Sequence, residues 1–175
     1  MNKFLRNTVK WCKRFAVAAL AAALLFLLLN WFFPVHANLE YSTIVTDHNG
    51  EVVHAFLTSD EKWRMKTGLE EISPLLRKTI IEKEDRYFYS HPGINLLSVG
   101  RAMMNNILRM KRSSGASTIT MQVARLLEPR RRTWLNKSIE MFRALQHEWK
   151  YSKSEILQLY LNLVHYGSNI EGVNS

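Results

Sequence analysis

The chain has 175 residues, with 24 Lys and Arg against 15 Asp and Glu, and one cysteine, Cys12. Five of the basic residues precede Phe15 and no acid precedes Glu40, so the rest of the chain carries 19 basic residues against 15 acidic ones; that modest excess suits an anionic lipid surface or a phosphate-bearing ligand and argues against a nucleic-acid partner. With its cysteine ahead of the first apolar segment, the remainder has no disulfide and no thiolate metal site, and the roughly 140 residues beyond that segment suffice for one domain held by packing alone.

Phe15 to Leu29 are apolar without a break, and only Asn30 separates them from Trp31-Phe32-Phe33. At about 1.5 Å per residue, the stretch 15–33 reaches roughly 28 Å, the thickness of a bilayer's hydrocarbon core. Lys3, Arg6, Lys10, Lys13 and Arg14 in front of it predict a cytoplasmic N-terminus and a domain on the far side. Trp31 to Phe33 fall at the outer headgroups, and Pro34 ends the helix. Val35-His36-Ala37 has the small residues of a signal-peptide cleavage site, although the apolar run exceeds the usual h-region of about 7–15 residues. Either reading exports the domain. The expected organisation is a basic flank over 1–14, a transmembrane helix over 15–33, a stalk with a short hairpin over 34–72, and a domain from 73 to 175.

Thr43 to Thr46 and Val52 to Phe56 flank Asn49-Gly50, a hairpin signal. Ser73-Pro74 opens a helix reaching Glu84, on which Leu75, Leu76, Thr79 and Ile80 recur at helical spacing. Pro92-Gly93 breaks the chain before a second helix from Leu96 to Met110. A basic, serine-rich loop follows, and then a third helix from Ser117, expected as its N-cap, to Leu127. A fourth helix, Trp134 to Trp149, shows an apolar stripe of Leu135, Ile139, Phe142, Leu145 and Trp149 opposite Asn136, Glu140, Arg143 and His147. Ser152 to Glu155 form a capping box for a fifth helix with Ile156, Tyr160, Leu163 and Val164 on its apolar side.

Three constellations could carry chemistry. Glu84 to Gly93 gathers acids, His91 and aromatics at a helix end; aromatic walls would desolvate a carboxylate and make it a better base, or the segment is a charged terminus packed on an aromatic cluster. Gly115 to Gln122 leads a small-residue loop into a helix N-terminus amid Arg109, Lys111, Arg112, Arg125 and Arg130 to Arg132, suited to a phosphate or diphosphate, or else a plain serine cap in a solvated basic loop. Lys137 and Glu140 supply a second acid on a helix face, able to share acid–base work with the first or to form an exposed ion-pair ladder with Arg143.

In order and combination these segments resemble the peptidoglycan glycosyltransferase family (glycosyltransferase family 51), the transglycosylase module of class A penicillin-binding proteins. The resemblance runs through Glu84-Asp85-x-x-Phe88-x-x-His91-x-Gly93, Gly115-x-Ser117-Thr118-Ile119-Thr120-x-Gln122, Lys137-x-x-Glu140, Lys153-x-x-Ile156-Leu157-x-x-Tyr160-Leu161-Asn162 and the start of Tyr166-Gly167. It implies a mostly α, lysozyme-like glycosyltransferase domain, behind a hairpin and one transmembrane helix. The implied reaction is processive and inverting: lipid II is polymerised into β-1,4-linked glycan with release of the lipid diphosphate. Glu84 is then the general base, and Glu140 assists at the departing diphosphate, directly or through a divalent cation such as Mg2+ or Mn2+. Asp85, His91, Gly115, Ser117, Thr118, Gln122, Arg125, Arg132, Lys137 and Asn162 are the substrate-binding set, with no resident metal site and no organic cofactor. The implied partners are lipid II, the growing glycan, the membrane and cell-wall synthesis machinery, and the implied location is the bacterial inner membrane with the domain periplasmic.

Met121 stands where the family usually has a glutamine, as in its penicillin-binding protein 1C-type branch, and Asn136 replaces an arginine. The fifth block stops at Ser175, so the domain is expected to be incomplete at its C-terminus, with the Ile156 and Tyr160 stripe uncovered. Two rival readings are a non-catalytic relic that binds lipid diphosphate, and a lysozyme-like hydrolase using two carboxylates. The diphosphate-type segment at Ser117 argues against the hydrolase, whose substrate has no such leaving group.

Overall fold

The computed structural model describes residues 3–109, 117–167 and 169–173, and the chain divides into two compact units, Met1–His36 and Ala37–Ser175. The first unit is built on helix α1, Lys3–Phe32. It begins at Lys3 and not at Phe15 because Lys and Arg favour helix about as well as Leu and nothing between the flank and the apolar run interrupts it. Its stretch Asn7–Phe32 is long and apolar enough to cross a membrane, which is compatible with a single pass.

In the second unit the hairpin forms as expected. Strand β1 (Ile44–Thr46) pairs antiparallel with β2 (Val52–Ala55), with Ile44 opposite Ala55. The Asp47 carboxylate closes the turn by accepting the N–H groups of Asn49 at 2.8 Å and Glu51 at 2.9 Å. Gly50 takes φ +85°, where a Cβ would be strained.

A second pairing has no local signal. Strand β3 (Trp63–Arg64) runs parallel to β4 (Ile170–Glu171). The buried Arg64 meets the buried Glu171 at 2.6 Å (Nη2–Oε2) and 2.7 Å (Nε–Oε2). Arg64 also donates from Nη1 to the Glu40 carbonyl at 2.7 Å and from Nη2 to Asp60 at 2.9 Å, so the buried guanidinium is matched by two carboxylates and a carbonyl. From Ala37 onward, the segment 34–72 thus lies in the same compact unit as the helices.

Helices α2 (Pro74–Glu84), α3 (Leu96–Arg109), α4 (Ile119–Leu127), α5 (Trp134–Lys150) and α6 (Lys153–Leu163) follow in the expected order, and the described structure is mostly helical. Helix α4 packs on both α5 and α6. The core joins Ile72, Phe88, Ile119, Val123, Ile156 and Leu161. The Ser152 capping box is complete: its hydroxyl accepts the Glu155 N–H while the Glu155 carboxylate accepts the Ser152 N–H.

The structure corrects three expectations. Thr118, not Ser117, caps α4, its Oγ1 accepting the Met121 N–H at 3.2 Å. The Ile156 and Tyr160 stripe is covered, because α6 sits at the centre of the core with both residues under 5% exposed. The most buried side of helix α5 is not its apolar stripe: Leu135 and Trp149 are exposed and Ile139, Phe142 and Leu145 half-buried, while Glu140, Ala144 and His147 are buried. Ala144 makes this possible, since a short side chain lets neighbouring backbone approach, and the charged groups around it are paired.

Candidate active site

Helix α2 ends at Glu84, and the chain then turns through Phe88–Ser90, a single 3-10 turn. Phe88 is fully buried in the core. That anchor sends Asp85 inward and leaves Glu84 outside, so the two neighbouring carboxylates have opposite surroundings. Glu84 is exposed and accepts Gln122 Nε2 at 3.1 Å. Of the acids in this segment the enclosed one is Asp85, 7% exposed, while Tyr87 and Tyr89 face solvent.

Asp85 is saturated from within. His91 Nε2 lies 3.0 and 3.1 Å from its two oxygens, and the Ile119 N–H donates to Oδ2 at 3.0 Å. Thr118 accepts the Met121 N–H and donates its own proton to the Gly93 carbonyl at 2.5 Å. The helix N-terminus expected to receive a diphosphate is thus occupied by the chain's own carboxylate, which already offsets the partial positive charge there. Asp85, His91 and Thr118 are thus each hydrogen-bonded within the domain. Asn162 is too: fully buried, it binds Thr67 N and O at 2.8 and 3.0 Å and the Gln158 carbonyl at 2.8 Å.

Ser117, Lys137 and Glu140 are brought together. Lys137 Nζ donates to Ser117 Oγ at 2.7 Å and to Glu140 Oε2 at 3.0 Å. Glu140 is 9% exposed, on the inward side of α5. Helix α4 with its approach therefore reaches both acids, through Gln122 to Glu84 and through Ser117 and Lys137 to Glu140. Arg125 is half-buried on α4 and Arg132 is exposed ahead of α5; among the described residues neither forms an ion pair. Arg130 and Arg143 instead share Glu128, at 2.9 and 3.1 Å. Gly115, Lys111 and Arg112 lie outside the described residues.

Burial pushes the Tyr160 hydroxyl up to about 12, the negative charge of Glu84 adding to the effect and Arg125 opposing it; Glu84 and Arg125 thus lie within electrostatic reach of one buried tyrosine. On α5, burial holds His147 down at about 4, opposed by Glu128 and assisted by Arg143 and Lys150. Beside the site, the Tyr87–Pro92 turn and the start of α3 enclose a groove of about 500 Å³, with His91, Asn95, Leu97 and Arg101 among its walls.

Sequence reasoning missed Glu148. Its Oε1 accepts Thr120 Oγ1 at 2.5 Å and Lys153 Nζ at 2.8 Å. The signal was present, since Thr120 and Lys153 sit inside two of the matched blocks, but nothing local points to the residue that joins them.

Among known proteins, a family model described as Transglycosylase matches residues 49–175. The chain is 39% identical to penicillin-binding protein 1C of Escherichia coli (strain K12) over 145 residues, 83% of this chain and 19% of that protein. It is 35% identical to penicillin-binding protein 1F of Bacillus subtilis (strain 168) over 138 residues, 78% of this chain and 19% of that one. The match to penicillin-binding protein 1B of Haemophilus influenzae is 39% over 116 residues, covering 66% of this chain and 15% of the relative. This chain therefore spans about a fifth of the length of the curated relatives it matches. With the ordered acids, the capped α4 and the matched blocks in one unit, the chain belongs to the transglycosylase family, that of the glycosyltransferase module of class A penicillin-binding proteins.

Proposed function

We propose that this chain polymerises lipid II into β-1,4-linked glycan and releases the lipid diphosphate. The observation that supports this reading best is that α4 and its approach reach two acids in contrasting surroundings, one open and one enclosed with a lysine. Glu84, exposed and oriented by Gln122, takes the proton of the acceptor sugar's 4-hydroxyl as that oxygen attacks the donor's anomeric carbon. The bond from that carbon to the diphosphate breaks, its electron pair leaving with the diphosphate and the configuration inverting. Lys137, Arg125 and Arg132 offset the charge that develops on the departing group. Glu140 holds Lys137 in place.

Among the described residues no three His, Cys, Asp or Glu side chains converge. A divalent cation entering with the diphosphate needs as little as one protein carboxylate; Glu140 would hold it, and such a cation would supply further neutralisation of the leaving group.

The reading is tested by gel analysis of lipid II products from the parent chain beside Glu84→Gln. Polymer from the parent and none from the variant, with lipid II still bound, is expected. Equal polymerisation by Glu84→Gln removes the assigned base, and binding without polymer by the parent returns the chain to a lipid-diphosphate-binding module.

We also propose that α1 spans the inner membrane with its N-terminus cytoplasmic, keeping the domain at the outer surface where a lipid-linked substrate diffuses in two dimensions. Cys12, the only cysteine, reports this directly. A membrane-impermeant maleimide should label it only after the membrane is opened, and labelling of intact spheroplasts would reverse the orientation.

A further inference from the structure

The two halves of the site that meet at the Glu84–Gln122 hydrogen bond come from different elements: Glu84 ends α2, and Gln122 lies in the second turn of α4. Something has to set their spacing. On one side, Asp85 follows Glu84 and is held by His91 and the Ile119 N–H. On the other, the His91-Pro92-Gly93 loop is fastened to α5 and α6. Lys153 Nζ donates to the His91 carbonyl at 2.7 Å and to Glu148 Oε1 at 2.8 Å, and lies 4.5 Å over the Phe88 ring. Thr120, fully buried two residues before Gln122, donates to the same Glu148 oxygen at 2.5 Å.

Glu148 also lies against the loop by shape. Gly93 has φ +86°, and a Cβ placed there would fall 2.8 Å from Glu148 Cγ and 3.0 Å from the Ala144 carbonyl. Glycine is needed both for the backbone angle and for this close approach. One side chain of α5 therefore touches the loop behind Glu84, the helix that carries Gln122, and the lysine that joins the loop to α6.

We infer that Glu148 is a positioning residue for the transglycosylase reaction: by binding Thr120 and Lys153 through one oxygen it fixes the distance between the base Glu84 and Gln122. The inference rests on the reading of Glu84 given above. Glu148 does not meet substrate in this scheme; it acts through the contact between two other residues, where a displacement of about 1 Å is enough to lower turnover by up to roughly 100-fold.

The test uses Glu148→Gln, which keeps the shape and an acceptor for Thr120 while removing the charge that holds Lys153. Its lipid II turnover is expected to fall about tenfold with KM within about twofold of the parent, the thermal midpoint nearly unchanged, and amide hydrogen exchange faster at Thr120 to Gln122. Combined with Gln122→Ala, Glu148→Gln should add little further loss, because the contact through which it acts is already gone. Full additivity of the two losses, or a loss of turnover that only tracks a fall in thermal midpoint, overturns the inference and leaves Glu148 as packing. Glu84→Gln, run in the same gel, separates the cases: if it polymerises like the parent, the reading of the base has failed. The exchange rates at Thr120 to Gln122 still test the coupling of Glu148 to α4, and unchanged rates would overturn it.

Discussion

The end of α2 and the inner face of α5 each present an acid to the site, and they do so in opposite ways. Glu84 stands in solvent and accepts a hydrogen bond from Gln122. Glu140 is 9% exposed and tied to Lys137, which in turn holds Ser117. A base that collects a proton from a mobile acceptor has to be reachable; a residue that keeps a cation aimed at a leaving group has to be immobile. In the proposed reaction the open acid transfers the proton and the enclosed one gives electrostatic support.

The largest expected effect tests that division. Glu84→Gln should lower lipid II polymerisation by at least about 100-fold, whereas Glu140→Gln, which leaves Lys137 present but less constrained, should lower it about tenfold. Equal losses in matched gel assays would break the comparison. A smaller effect concerns the interior of α5 alone. His147 sits at about 4 in the folded chain because burial disfavours its cation, against about 6.5 when unfolded. Its folded value is depressed below the unfolded one. A histidine shifted this way contributes stability that is complete above about pH 6.5 and is lost as the pH falls toward 4, because the unfolded chain takes up the proton first. The loss between pH 7.5 and pH 5 should be about 2 kcal/mol in urea unfolding, and His147→Gln should flatten that dependence. A pH-independent difference would show that His147 is not the group responsible. The smallest effect belongs to α4, between the two acids. Arg125→Ala should weaken lipid II binding about tenfold, as expected for one charge-assisted contact with the diphosphate; unchanged affinity would take Arg125 out of the site.

Where the structure follows local chemistry, the sequence was legible. Asn49-Gly50 marked the hairpin, Ser73-Pro74 the start of α2, and Ser152 with Glu155 the start of α6. The order of the matched blocks located the acids. Three features were not legible, for separate physical reasons. The face of α5 was misread because an apolar stripe points to a core only where the opposite face can stay in water; here Lys137 with Glu140, and Arg143 with Glu128, neutralise charges that α5 carries into the site. The contact of the α4 N-terminus with Asp85 was not legible because that carboxylate lies 34 residues earlier in the chain. The pairing of β3 with β4 is two residues long on each side, too short for any periodicity and too distant for any turn signal.

That last pairing has a consequence for biosynthesis. Arg64 and Glu171 are 107 residues apart, so a guanidinium destined for burial emerges from the ribosome long before its main partner exists. Leaving it unpaired in a closed interior would be strongly unfavourable, and long-range pairings of this kind form late. The β3–β4 pairing therefore cannot form until Glu171 has been made. Until then Arg64 has only Asp60 and the Glu40 carbonyl to meet its charge, and the arrival of Glu171 completes the match.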